Sequence, residues 1–243
     1  MSEFNRAETV VNEAGGLRSY VAGVFTKMGI AVLITALVAF AGYLSLVSGG
    51  FMMNMYLNGT ISIAYIIVAV AQLVLCIILS RKITTLETGK AAALFYGYAA
   101  LTGVTFSVLP LAFDIPTIFM AFAFAAVMFF SCAVIGHTTS VDLTKFSGLM
   151  VGALIALVIA TIASLFIPAL RDSLIISYIG VILFLFLTAW DMQKIKGYYY
   201  GTQGGYGTIG ANLAIFGAFQ LYLDFINLFL YVLRILGSRS SRK

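Results

Sequence analysis

Apolar runs of about 20 residues recur along the chain, separated by short polar stretches, and a run of that length is what a helix needs to cross a bilayer. The runs are Met28–Val47, Ile61–Ser80, Ala91–Leu111, Ile118–Gly136, Gly148–Ile167 and Leu174–Ile195, with a seventh at Leu213–Leu236. None has the alternating pattern of a transmembrane barrel strand, so the chain is expected to be an all-α integral membrane protein. The connections are too short for a soluble domain. Three parts are expected: an N-terminal segment 1–27 on the cytoplasmic side, a single transmembrane helical domain 28–237, and a basic tail 238–243. The first part is polar and mixed in charge. It has no short apolar segment followed by a small-residue cleavage site, so no cleavable signal peptide is expected.

Composition supports that class. Of 243 residues, 62% are hydrophobic and only 9% are charged, where a soluble domain carries about 25% charge. The few basic residues set the expected orientation. Arg6, Arg18 and Lys27 precede the first run, Arg81, Lys82 and Lys90 join the second to the third, Lys145 follows the fourth, and Lys194 and Lys196 close the sixth. The alternate connections hold only Arg171, so the balance is nine to one and predicts a cytoplasmic N-terminus. The net charge of +5 belongs to this pattern, and no separate basic patch asks for nucleic acid. At the other end the signals conflict. Arg234, Arg239, Arg242 and Lys243 favour a hairpin that returns to the cytoplasm, whereas 24 residues at ~1.5 Å each reach about 36 Å and suffice for a seventh crossing. A seventh helix is expected, with the side of its end left open.

Two residues break the apolar pattern. Asp191 interrupts the sixth run and Asp224 the seventh, and an Asp at the centre of a membrane helix costs about 2.5–3.5 kcal/mol even on a lenient scale. Such residues usually face a bundle interior or a wet cavity and serve ion or proton movement; the plain alternative is a polar contact between helices. Asp224 lies near mid-bilayer and Asp191 nearer the cytoplasmic end of its run, so their meeting requires tilt or a broken helix end. If they meet, two like charges in a poorly hydrated site resist ionising together, and their protons leave in steps that belong to the pair.

Other motifs dissolve. Gly205-Tyr-Gly207-Thr-Ile-Gly210 has the form G-x-G-x-x-G, but no strand precedes it, and no cofactor is expected. The glycines between 197 and 210 instead suggest a flexible connection. Gly148 and Gly152 form G-x-x-x-G, expected to mark close helix packing. His137 is the sole histidine, too few for a zinc hydrolase, and no G-x-S-x-G elbow occurs, so an enzyme is not expected.

The residues around the two aspartates carry a resemblance. Leu221-Tyr-Leu-Asp-Phe-Ile-Asn-Leu-Phe229, followed by Leu233-Arg234-Ile235, resembles the C-terminal signature of the Bax-inhibitor-like transmembrane family, bacterial branch. Gly180 and Asp191-Met-Gln193-Lys194 are similar to that family's second motif, with Trp190 and Met192 where Tyr and Thr are usual. Leu17-Arg-Ser-Tyr20 and Leu101-Thr-Gly103 also resemble bacterial members, so the likeness covers residues 17–237. It implies a seven-helix bundle whose C-terminal helix is central. It also implies that Asp191 and Asp224 act as a pH-sensitive element in a calcium leak, with a basic residue near the end of the second helix bridging them; Arg81 holds that place. Calcium takes six to eight oxygens, so Asp191 and Asp224 offer only a weak, transient contact, as a leak path needs.

The expected function is a pH-sensitive cation (calcium) leak in a bacterial inner membrane, with lipid and cations as its partners. The alternative is a non-conducting regulator or membrane-protein partner of quality-control machinery, with residues 1–27 as its handle. Reporter fusions at Asn5 and within residues 48–60 are expected to report opposite sides of the membrane. A fusion at Asn5 that reads as external reverses the orientation.

Overall fold

The computed structural model describes residues 2–171 and 173–240. Its elements are α1 (Ser2–Val47), α2 (Phe51–Leu57), α3 (Ile61–Lys82), α4 (Thr88–Phe106), α5 (Leu109–Ala112), α6 (Ile115–Thr138), a 3-10 turn (Leu143–Phe146), α7 (Ser147–Phe166), α8 (Pro168–Arg171), α9 (Ile175–Gly201) and α10 (Gly207–Ser240). No strand occurs among the described residues. Among the described residues, seven stretches are long and apolar enough to cross a membrane, and each contains or closely overlaps one of the seven apolar runs. The helices outlast the runs because polar end turns continue them. Residue 27 therefore marks a change of composition within α1 and not an end of structure: Leu17 and Val24 are already buried.

The contacts divide the chain into two units, one of residues 1–112 and 195–219, the other of residues 113–194 and 220–243. In the first, α4 packs against α1 and α3. Gly103 lets α4 approach closely, since a Cβ there would lie 2.7 Å from the carbonyl oxygen of Thr35. Thr35 in turn donates to Ala99 O at 2.9 Å, and Gln72 donates to Thr102 Oγ1 at 3.0 Å. Small residues and side-chain hydrogen bonds of this kind hold helices together where lipid removes the hydrophobic drive.

The α9–α10 connection belongs to this unit and corrects an expectation. Glycines 197 and 201 lie within the last turns of α9, and only residues 202–206 stand between the helices. Gly205 has φ +78° and lies under the Tyr20 ring, where a Cβ would overlap the ring. Gly204, Gly205 and Gly207 take the positive φ of a left-handed turn, and Gly205 and Gly210 also meet close neighbours. Asn212, just inside α10, donates from Nδ2 to Ile83 O at 2.8 Å and to Leu86 O at 2.7 Å, which secures the end of α3.

In the second unit, Asp114 caps α6 by accepting from Thr117 N at 3.1 Å, and Pro116 in the first turn has no N–H to leave unpaired. Phe225 of α10 meets the rings of Phe122 and Phe129 edge-on at 5.3 and 5.5 Å. Close crossings occur at Gly136, whose place a Cβ could take only by overlapping the backbone of Ala189, and at Gly180, where a Cβ would lie 2.6 Å from the Tyr231 ring. Gly148 and Gly152, expected to mark such a crossing, are exposed and meet nothing within 4 Å. They lie on an exposed face of α7, and no helix among the described residues packs against them.

α10 runs unbroken through the last span, without the reversal a hairpin requires. Arg234 Nη2 donates to Ser173 O at 3.3 Å, and Gly237 abuts the Phe113 ring. The end of α10 thus sits beside the connections that precede α6 and α9, at the end of this unit opposite residues 139–146. Arg234, weighed above as a topology charge, has a backbone acceptor inside the protein. The last two spans are also the most buried, at 67% for Gly207–Ser238 and 56% for Ile175–Gly201 against 28% or less elsewhere. The outer spans turn large apolar side chains such as Phe119 and Leu73 outward, as lipid contact demands.

Gly136→Val is expected to destabilise the protein by about 2–3 kcal/mol, because the added atoms meet backbone that cannot rotate away. A thermal unfolding midpoint in detergent equal to that of the unsubstituted chain would refute the close α6–α9 crossing.

Candidate functional site

Thr188, Asp191 and Lys194 recur every three residues along α9, so they rise along one face of the helix. Asp191 and Asp224 are both buried, each 5% exposed. The Lys194 ammonium lies 2.6 Å from Asp191 Oδ1, an ion pair whose angles depart from an ideal hydrogen bond. The same nitrogen lies 3.9 Å from the centroid of the Trp190 ring, within cation–π range. Trp190 and Lys194 are four residues apart, which is the helical spacing that lets a ring cover an ammonium.

Asp224 comes from α10 and lies within electrostatic reach of both Asp191 and Lys194. The Thr188 hydroxyl makes a hydrogen bond with its carboxyl, while Asp224 Oδ2 is buried with no partner among the described residues. Thr188 Oγ1 also stands 2.8 Å from Phe184 O, where it donates. A hydroxyl has one hydrogen. If Thr188 gives it to Phe184, its bond with Asp224 uses a carboxyl hydrogen; if Asp224 is ionised, Thr188 must turn from Phe184 to reach it. The local bonding pattern therefore depends on whether Asp224 holds a proton.

The structure brings the two sequence-expected aspartates into one charge cluster, but no hydrogen bond joins them among the described residues. Asp191 is held by Lys194 and Asp224 by Thr188. Arg81, the residue expected to bridge them, is exposed at the end of α3 and belongs to the first unit. Sequence reasoning passed over Lys194 because it was counted as a topology charge; its spacing from Asp191 and Trp190 was the signal that could have found it.

Gln193, from the same motif, has a separate task. Its Nε2 donates to Val141 O at 2.7 Å and its Oε1 accepts from Leu143 N at 2.9 Å, so one amide clamps both sides of Asp142 in the α6–α7 connection. Asp142 itself is exposed and accepts from the Thr144 hydroxyl and from Thr144 N at 3.0 Å, starting the 3-10 turn. The Thr144 hydrogen bond holds the Asp142 carboxyl below the ordinary carboxylate range, so this cap is present above that range and is lost as pH falls through the lowered value. A connection is thus fastened to α9 half a turn from Asp191.

The chain also has matches among known proteins. The family described as "Inhibitor of apoptosis-promoting Bax1" matches residues 17–241. The chain belongs to this Bax-inhibitor family. The inner membrane protein YbhL of Escherichia coli K12 is 36% identical over 239 residues, 98% of this chain and 100% of its own. An uncharacterised protein of Rickettsia prowazekii is 37% identical over 230 residues, 92% of this chain and 91% of its own. One from Deinococcus radiodurans is 36% identical over 223 residues, 92% of each. With seven apolar spans and this membership, the Bax-inhibitor chain is an integral multi-pass membrane protein.

Gln193→Leu removes both hydrogen bonds to the connection and is expected to cost about 1–2 kcal/mol. Amide exchange at Leu143 should quicken in the variant. Unchanged protection there would mean that Gln193 does not hold the connection.

Proposed function

We propose that this Bax-inhibitor protein is a pH-sensitive cation leak, with calcium as cargo, gated by Asp191 and Asp224 in a bacterial inner membrane with the N-terminus in the cytoplasm. The observation that carries the reading is one cluster of two buried carboxylates and one ammonium within the two most buried spans. With one carboxyl protonated, the remaining carboxylate and Lys194 balance, and the cluster is neutral. With both ionised it holds one uncompensated negative charge in a poorly hydrated place, which favours entry of water and a cation. Loss of one proton is therefore the step that opens the path, and flux rises with pH. Thr188 contributes by exchanging Phe184 for Asp224 as the charge appears. The small number of oxygens suits a site that ions leave readily.

Calcium uptake by liposomes containing only this protein tests the proposal across a pH series. Flux should exceed that of empty liposomes, and Asp191→Asn and Asp224→Asn should each flatten its pH dependence. The double variant should add little to either, since both belong to one unit. Additive effects would divide the site in two, and unchanged pH profiles in both single variants would end the gating mechanism. No flux above empty liposomes would remove the leak itself.

A further inference from the structure

We propose that Lys194 is a tethered cation that occupies the seat beside Asp191 where a free divalent cation would bind, and that this seat fills with such a cation once the ammonium is displaced. The inference rests on the leak reading for its biological sense, since it concerns the same carboxylates. Its geometry stands separately.

The ammonium is already seated as a ligand would be, 2.6 Å from Asp191 Oδ1 and 3.9 Å from the centre of the Trp190 ring. The Lys194 side chain is 22% exposed against 8% for Asp191, so the lysine is the more exposed member of the pair. Its tether is one helical turn long and needs no other helix to hold it. Four rotatable carbons let the head group leave without movement of α9. An acceptor is also present that no protein group uses: Asp224 Oδ2, buried and without a partner among the described residues. When both carboxylates are ionised, Lys194 leaves the cluster at minus one; without the lysine the charge is minus two, which matches a divalent cation. Two carboxylates supply at most four oxygens, so water must complete the shell of a hard cation and the affinity stays low.

Trp190 gives a direct measurement, because it is the only tryptophan in the chain. Terbium, a hard cation of calcium-like size, emits when a neighbouring indole is excited, and calcium should compete for its place. In the detergent-purified full chain, Lys194→Met keeps the apolar stem against Trp190 and removes the charge. It should bring terbium emission at a concentration roughly tenfold lower than in the unsubstituted protein, the scale of one nearby charge in a partly hydrated site. Lys194→Arg should behave like the lysine, and adding Asp191→Asn to Lys194→Met should abolish the gain. Lys194→Gln serves as a second neutral variant should the methionine chain fail to fold.

Equal terbium titrations in the unsubstituted and neutral variants would overturn the proposal, as would a gain that survives Asp191→Asn. Calcium flux in liposomes separates this result from the fate of the leak reading. Lys194→Met should raise flux several-fold. A terbium gain with no flux from any variant leaves the cation seat standing and removes the leak. Aspartate-dependent flux with unchanged terbium binding removes the tethered-cation role and leaves the leak.

Discussion

A buried carboxylate must find a positive charge, a donor or a proton, and the aspartates of the last two spans are bound by that requirement. An isolated ion in a low-dielectric interior costs several kcal/mol after relaxation. Here the three remedies are divided. Asp191 takes an ammonium from its own helix, Asp224 has the Thr188 hydroxyl on one side, and Asp224 Oδ2 has no partner among the described residues. A fully satisfied cluster would be an inert staple. With Asp191 Oδ1 held by an ion pair alone and Asp224 Oδ2 without a partner among the described residues, the cluster is not fully satisfied.

The surroundings keep this arrangement narrow. Gly136 brings α6 against the backbone of Ala189, two residues before Asp191, and Gln193 fastens the α6–α7 connection two residues after it. The turn of α9 that carries Asp191 is thus held on both sides by contacts to one neighbouring hairpin. Phe225, next to Asp224, is set between two rings of α6. Each carboxylate therefore stands beside a residue fixed by packing. Helix positions in a bilayer come from such close approaches and not from apolar burial, which lipid supplies equally well.

Much of this was legible in the sequence, for physical reasons that differ by residue. The seven spans were readable because bilayer thickness imposes a length that no other constraint imitates. Asp191 and Asp224 stood out because a charge in an apolar run is costly wherever its helix packs. Partners were harder. Lys194 was visible only once its spacing from Asp191 and Trp190 was set on a helix, and a lysine at a span's end serves topology equally well. Thr188 could not be assigned, because a threonine in a membrane helix usually bonds its own backbone, as this one also does through Phe184. Gly148 and Gly152 misled because a packing motif states that a close approach is permitted, not that a neighbour is there. The glycines from 197 to 210 misled in the opposite direction: composition cannot tell a slack loop from a left-handed turn closed under a tyrosine ring.

The unbroken course of α10 bears on how the chain is made. The helix that carries Asp224 and Arg234 is the last of the seven apolar spans found among the described residues, so it is synthesised after the other six. Each of these costly residues then meets a group that already exists: Thr188 on α9 for the carboxylate and the carbonyl of Ser173 just before α9 for the guanidinium. The order of synthesis thus supplies the acceptors and donors before the charges arrive. A chain that delivered the same helix first would make both residues before either partner existed.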